Sequence, residues 1–210
     1  MIGNTARIMW RSQFCWERFL APVHLSFLVG LSLLVMITGD SRADILSGRY
    51  ILPPQAVDTQ FSVRVLGGQP VKGRFGTVNG EMVLDAQRPE TSRVRVTVDL
   101  RSVETNNDRV TGFLKSSAMF NVSEFPTAEF ESYSVRLTGK TTAQVEGFLT
   151  MRGTRQRTSL EVELQPAGKG QNIAIEANGG FFRSLYGMDA GLPIYADKVR
   201  LQIKGTGKRS

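Results

Sequence analysis

Two places in this chain hold groups whose type and spacing suit chemistry. Asp99 and Glu104 are close enough in sequence to act as a carboxylate pair, one as general acid and one as general base. Asn178-Gly179-Gly180 offers consecutive backbone N–H groups of the kind that hold an anion. Against these stands an omission. His24, Cys15, Trp10 and Trp16 all precede residue 44, and no His, Cys or Trp follows it. The commonest general base, the thiol nucleophile and the preferred zinc ligands are therefore missing together. No metal site and no catalytic residue is expected. Nothing else converges on Asp99 and Glu104, which read as turn or surface acids, and a strand bulge is the commoner use of Asn-Gly-Gly.

The residues before this region have the order of an export signal. Arg7, Arg11 and Arg18 precede an apolar run from Phe19 to Ile37, and Ser41-Arg42-Ala43 supplies small residues where a signal peptidase reads. Residues 1–43 are expected to be a signal peptide, and residues 44–210 a single exported domain with no disulfide. An uncleaved inner-membrane anchor is the competing reading of the same run. The expected location is the periplasm.

The 167 residues from Asp44 suffice for one sizeable core. They carry 22 basic and 17 acidic residues, the basic ones spread singly along the chain. A nucleic-acid site would cluster them with aromatics, so nucleic acid is not expected as a partner. Weak attraction to anionic lipid headgroups is the alternative to a plainly solvated exterior.

What must position any site is a set of strands. Apolar and polar residues alternate at Phe61-Val63-Val65, Val71-Gly73-Phe75, Gly80-Met82-Leu84 and Val94-Val96-Val98. The pattern resumes at Val145 to Met151, Leu160 to Leu164, Ile173 to Ala177 and Val199 to Ile203, with Gly- and Pro-rich turns between. Only Asn106 to Phe120 shows three- and four-residue spacing, which predicts one short helix near residues 107–117 with Asn or Asp as its N-cap. About eight evenly spaced strands with one apolar face predict an all-β fold, a closed antiparallel barrel with the helix across a mouth or inside it. Gly73 and Gly147 on inward faces either permit bends or leave room inside. An outward apolar band would imply a transmembrane barrel. The lack of aromatic girdles and the basic tail from Lys204 argue against that.

Five ordered blocks resemble the YceI family of exported, lipocalin-like barrels. They are Phe61–Phe75 (FSVRVLGGQPVKGRF), Val94–Asn107 (VRVTVDLRSVETNN), Phe113–Phe130 (FLKSSAMFNVSEFPTAEF), Gly147–Leu164 (GFLTMRGTRQRTSLEVEL) and Arg183–Ile203 (RSLYGMDAGLPIYADKVRLQI). The resemblance implies an apolar cavity holding a polyisoprenoid chain, such as a polyprenol or quinone tail, with no cofactor. Arg183 and Asp197 stand in a matched block, where they pair, cap an element or touch a headgroup. Family histidines are replaced here by Ala56, Val65 and Phe113, a His-Gly turn by Arg152-Gly153, and a favoured acid by Leu185. The cavity is thus expected to recognise the tail more than the head.

The inward apolar residues form the candidate cavity: Phe61, Val63, Val65, Phe75, Met82, Leu84, Val96 and Val98 from strands. Phe113, Leu114, Met119 and Phe120 join them from the helix and its sequel, with Phe130 and Met188. Barrels of this size either fill their interior with side chains or hold one ligand. Three functions follow: a lipid carrier, a lipid-acting enzyme using cavity carboxylates, and a structural barrel with a filled core. A homodimer is compatible with the closed barrel, through side-chain surfaces only.

Overall fold

Three strands of the barrel are interrupted, and the interruptions lie side by side. The computed structural model describes residues 46–168 and 171–210; the leader expected over residues 1–43 lies outside them. The strands are β1 (Gly48–Leu52), β2 (Val57–Val65), β3 (Val71–Phe75), β4 (Val78–Leu84), β5 (Arg93–Asp99) and β6 (Val103–Thr105). The helix α1 (Asp108–Lys115) follows, then β7 (Thr127–Leu137), β8 (Thr142–Met151), β9 (Thr154–Ala167), β10 (Asn172–Phe182) and β11 (Tyr195–Arg209).

Pairing runs β1-β4-β5-β7-β8-β9-β10-β11 and returns to β1 through Tyr50 opposite Arg209 and Ile51 opposite Lys208. All neighbours are antiparallel, so this is the expected closed eight-stranded barrel. Strands β2, β3 and β6 extend β1, β4 and β5 beyond a kink in each. Pro53-Pro54 lacks two backbone donors and breaks the first stave. Gly76-Thr77 turns the second, and a 3-10 turn at Leu100–Ser102 the third. The kinks are laced together: Thr77 N donates to Ser102 Oγ at 3.0 Å, Asp99 N to Thr77 O at 2.9 Å, and Val78 N to Pro54 O at 3.4 Å. The hydrogen-bonded ring is complete between Gly48 and Arg209, so it needs no strand from outside the domain.

The alternation resolves with its apolar face inward. Tyr50, Leu52, Phe61, Val78, Met82, Val145, Ile173 and Val199 are buried. The outer face carries ion pairs such as Arg49–Glu81, Arg74–Glu104 and Arg95–Glu131. No helix among the described residues is long and apolar enough to cross a membrane.

Helix α1 starts where Asn107 Oδ1 accepts from Arg109 N at 3.0 Å and Val110 N at 3.2 Å, satisfying two otherwise free donors. It is shorter at its end than predicted, because Ser116 is already extended. Leu114 is buried while its neighbour Phe113 is 46% exposed. Successive helical residues point about 100° apart, so only one of the pair faces the barrel. The inward placement predicted for Phe113 is corrected accordingly. The turns after α1 deliver Met119 and Phe120 to the core, and Phe120 meets Phe75 with ring centroids 5.8 Å apart. Helix and turns together close one end of the barrel.

Candidate functional site

Eight of the predicted residues converge under that closed end. Phe61, Val63, Phe75, Leu114, Met119, Phe120, Arg183 and Met188 surround a small interior cavity with Phe181, Val199 and Leu201. Its volume is about 30 Å³, room for one water molecule. Met82 is buried in the same core, against which Leu84, Val96 and Val98 also pack. Phe130 belongs to a second cluster with Val135, Ala143 and Val145. Val65 is half-buried beside the Gly67-Gly68 turn and joins neither cluster.

The room left open inside by glycine is absent. Aromatic rings lie over both Gly73 and Gly147, where a Cβ would come within 2.4 Å of the Phe61 ring and 2.5 Å of the Phe130 ring. These glycines seat large side chains. The barrel interior is packed where α1 closes it.

Space is found instead at a seam in the wall. The ladder between β9 and β10 ends at Gly179 opposite Leu160, although β9 begins at Thr154 and β10 runs on to Phe182. Beyond that point a side-chain bond, Thr158 Oγ1 donating to Gly180 O at 2.9 Å, joins the two strands. Gly179 and Gly180 keep full register with Leu201 and Arg200 of β11. The bulge expected at Asn178-Gly179-Gly180 is therefore replaced by separation from β9. A Cβ at Gly180 would lie 2.2 Å from Val199 O, and one at Gly179 2.5 Å from the Leu160 side chain. Close approach to these neighbours demands glycine at both positions.

Over this seam lies a groove of about 920 Å³. Inward-facing Phe61, Thr158, Phe181 and Leu201 line it together with outward-facing Lys72, Phe182, Lys198 and Arg200. Tyr186 is buried in its wall, donates its hydroxyl to Leu149 O at 3.2 Å and stacks edge-on to Phe181. Burial pushes the Tyr186 hydroxyl pKa up to about 12. Leu201 was legible as a strand residue of the right face, and Phe181 extends the face of Ile173, Ile175 and Ala177 beyond where the alternation was legible. Tyr186 lies in a 3-10 turn, where no strand period announces it.

Arg183 and Asp197 take the structural roles among those open to them. Arg183 is 2% exposed, and its guanidinium donates to the carbonyls of Met188, Ala190, Tyr195 and Ala196. It pins the loop that follows β10. Burial lowers its pKa, with Asp197 and Asp189 acting the other way. Asp197 instead caps the turn at Arg183–Tyr186, accepting from Ser184 N at 2.8 Å and Ser184 Oγ at 2.7 Å. Asp99 and Glu104 do not converge either. Asp99 accepts from the Arg101 guanidinium and backbone, which hold its carboxyl below the usual range, and Glu104 pairs with Arg74. Of the positions where family histidines are replaced, Ala56 accepts Thr206 N through its carbonyl. Arg152 donates to Met119 O and Gly187 O, tying the β8–β9 turn to the segment after α1.

Comparison with known proteins agrees with this architecture. A UPF0312 protein of Ectopseudomonas mendocina is 33% identical over 132 residues, spanning 60% of this chain and 69% of that protein. The match to the UPF0312 protein of Pseudomonas aeruginosa spans about half, 54%, of its length. Burkholderia cenocepacia BcnA superposes with a TM-score of 0.66 at 18% identity, covering 72% of this chain and 96% of BcnA. A polyisoprenoid binding domain from Saccharophagus degradans superposes with a TM-score of 0.59 at 15% identity, covering 77% and 98%. At these identities the two structures speak to the fold alone. The family model of the YceI-like domain matches residues 50–206, from β1 almost to the end of β11, and the chain belongs to that family.

Proposed function

We propose that this protein binds a polyisoprenoid or similar long-chain lipid and carries it without covalent chemistry in the periplasm. The observation that carries the reading is the seam groove. It places inward Phe61, Phe181 and Leu201 in one continuous surface with the exterior, and its volume of about 920 Å³ suits a ligand of lipid size. The polyisoprenoid binding domain of S. degradans, with the same fold, lends the chemical class. At about 0.8 kcal/mol per buried CH₂, ten methylenes contribute roughly 8 kcal/mol, about micromolar affinity before ordering costs. Tail burial alone is thus sufficient to hold the cargo.

A structural barrel with a filled core is the second reading, favoured by the interior cavity of about 30 Å³. Lipid extraction of the purified domain followed by mass spectrometry separates the two. A stoichiometric prenyl lipid, lost in a Leu201→Gln variant that still folds, supports the carrier. Protein consistently free of lipid, and failing to take up added polyprenol, refutes it.

A further inference from the structure

The outer face is not uniform in how it treats its cations. Several elsewhere are paired, Arg49 with Glu81, Arg74 with Glu104, Arg95 and Arg155 with Glu131, Lys204 with Glu176, while Arg64, Lys140 and Lys208 stand singly without an ion pair among the described residues. Four others, Lys72, Arg157, Lys198 and Arg200, line the seam groove with Glu161 as the one carboxylate among its lining residues. None of the four makes an ion pair or side-chain hydrogen bond among the described residues.

Register sets their spacing. Arg200 is opposite Ser62, and Ser62 is opposite Lys72, so the two cations flank a small residue at roughly 10 Å between Cα atoms. Lys198 lies two residues along β11 from Arg200, on the same face and about 7 Å away. Continuing the β9–β10 register past Gly179–Leu160 brings Arg157 opposite Phe182, across the seam.

The same face carries exposed apolar side chains. Phe182 and Leu185, each 50% exposed, line the groove. Beyond it Leu66 is 77% and Ile194 55% exposed, on two loops joined by Leu66 N donating to Ile194 O at 2.8 Å. Asp189 is an exposed acid in the second loop. Unpaired cations beside protruding apolar tips match the interfacial zone of a bilayer, where phosphates lie above the first methylenes.

We propose that this face is the docking surface of the barrel for an anionic phospholipid bilayer. Lys72, Arg157, Lys198 and Arg200 contact lipid phosphates, and Leu66 and Ile194 insert below them. The seam groove then opens toward the membrane. The proposal deepens the lipid-binding reading and rests on it only for the purpose of docking.

The test uses the domain from Asp44 to Ser210, whose ring closes on itself, and vesicles of phosphatidylcholine with or without phosphatidylglycerol. Co-sedimentation is expected with the anionic vesicles, weakening as salt rises. Lys198→Gln with Arg200→Gln is expected to bind about thirtyfold more weakly, while Arg95→Gln, on the paired side, binds nearly as the wild type. Leu66→Ser with Ile194→Ser should lose the binding that persists at high salt. Equal binding to both vesicle types overturns the proposal without reference to any variant. So does an equal loss in Arg95→Gln, or tight binding to soluble heparin that vesicles do not displace, which would mark a polyanion site. Recovered prenyl lipid without vesicle binding refutes the docking and leaves the carrier. Vesicle binding by protein that takes up no lipid supports the docking and refutes the carrier.

Discussion

The ring of Phe61 on β2 reaches over Gly73, its cross-strand partner on β3. A Cβ at Gly73 would stand 2.4 Å from Phe61 Cζ and 2.6 Å from Glu104 O, so neither side has room to yield. Phe61 in turn packs on Phe75 with centroids 5.5 Å apart, linking this glycine to the core under α1. Gly73→Ala is expected to destabilise the barrel by about 1–3 kcal/mol through overpacking, measured as a lower urea midpoint. Adding Phe61→Leu should recover part of the loss, because it removes the ring that the new methyl meets. A double variant no better than Gly73→Ala alone would refute this account.

Arg183 supplies donors to four carbonyls, two in the loop after β10 and two at the start of β11, from a side chain that is 2% exposed. Arg183→Met keeps much of the volume but leaves those carbonyls without their donor, and about 3 kcal/mol of stability should be lost. Arg183→Lys is expected to rescue little, since an ammonium cannot reproduce the planar fork. Hydrogen exchange should show new opening confined at first to residues 188–196.

Thr59 Oγ1 is buried with no hydrogen-bond partner among the described residues. Thr59→Val keeps the shape and removes the unsatisfied hydroxyl. Stability is expected to rise by about 1 kcal/mol, seen as a higher thermal midpoint, whereas a fall would mean the hydroxyl has a partner.

Tyr186 gives the barrel an alkaline limit. Its hydroxyl has a pKa of about 12 in the fold against about 10 for an unfolded tyrosine. The stability this represents is complete below pH 10 and disappears as pH rises toward 12, because the unfolded chain ionises first. The effect is at most about 3 kcal/mol. Tyr186→Phe should flatten the alkaline limb of a stability–pH curve, and one tyrosine should titrate late in the wild-type ultraviolet spectrum.

The barrel, its inward apolar face and helix α1 were all legible in the order of residues. Period-two alternation and the Asn107 cap are local signals, each written within a few positions. The exclusion of thiol and imidazole chemistry from the domain was legible too, needing only composition. Phe113 was misplaced because an i, i+3, i+4 stripe does not say how wide a face the barrel can cover, and the core accepted Leu114 instead. The roles of Gly73 and Gly147 depended on which aromatic ring a neighbouring strand would lay over them. That is a matter of register, and register is set by pairing between distant segments. The same holds for the seam. Nothing near Thr158 or Gly180 in sequence says that β9 and β10 part there, since parting depends on the curvature of the whole closed sheet. Sequence alone determined what each strand presents to its two sides, because side-chain direction alternates along any extended chain. Tertiary structure alone decided where the wall opens and which cations stay unpaired, because both follow from how eight strands meet in three dimensions.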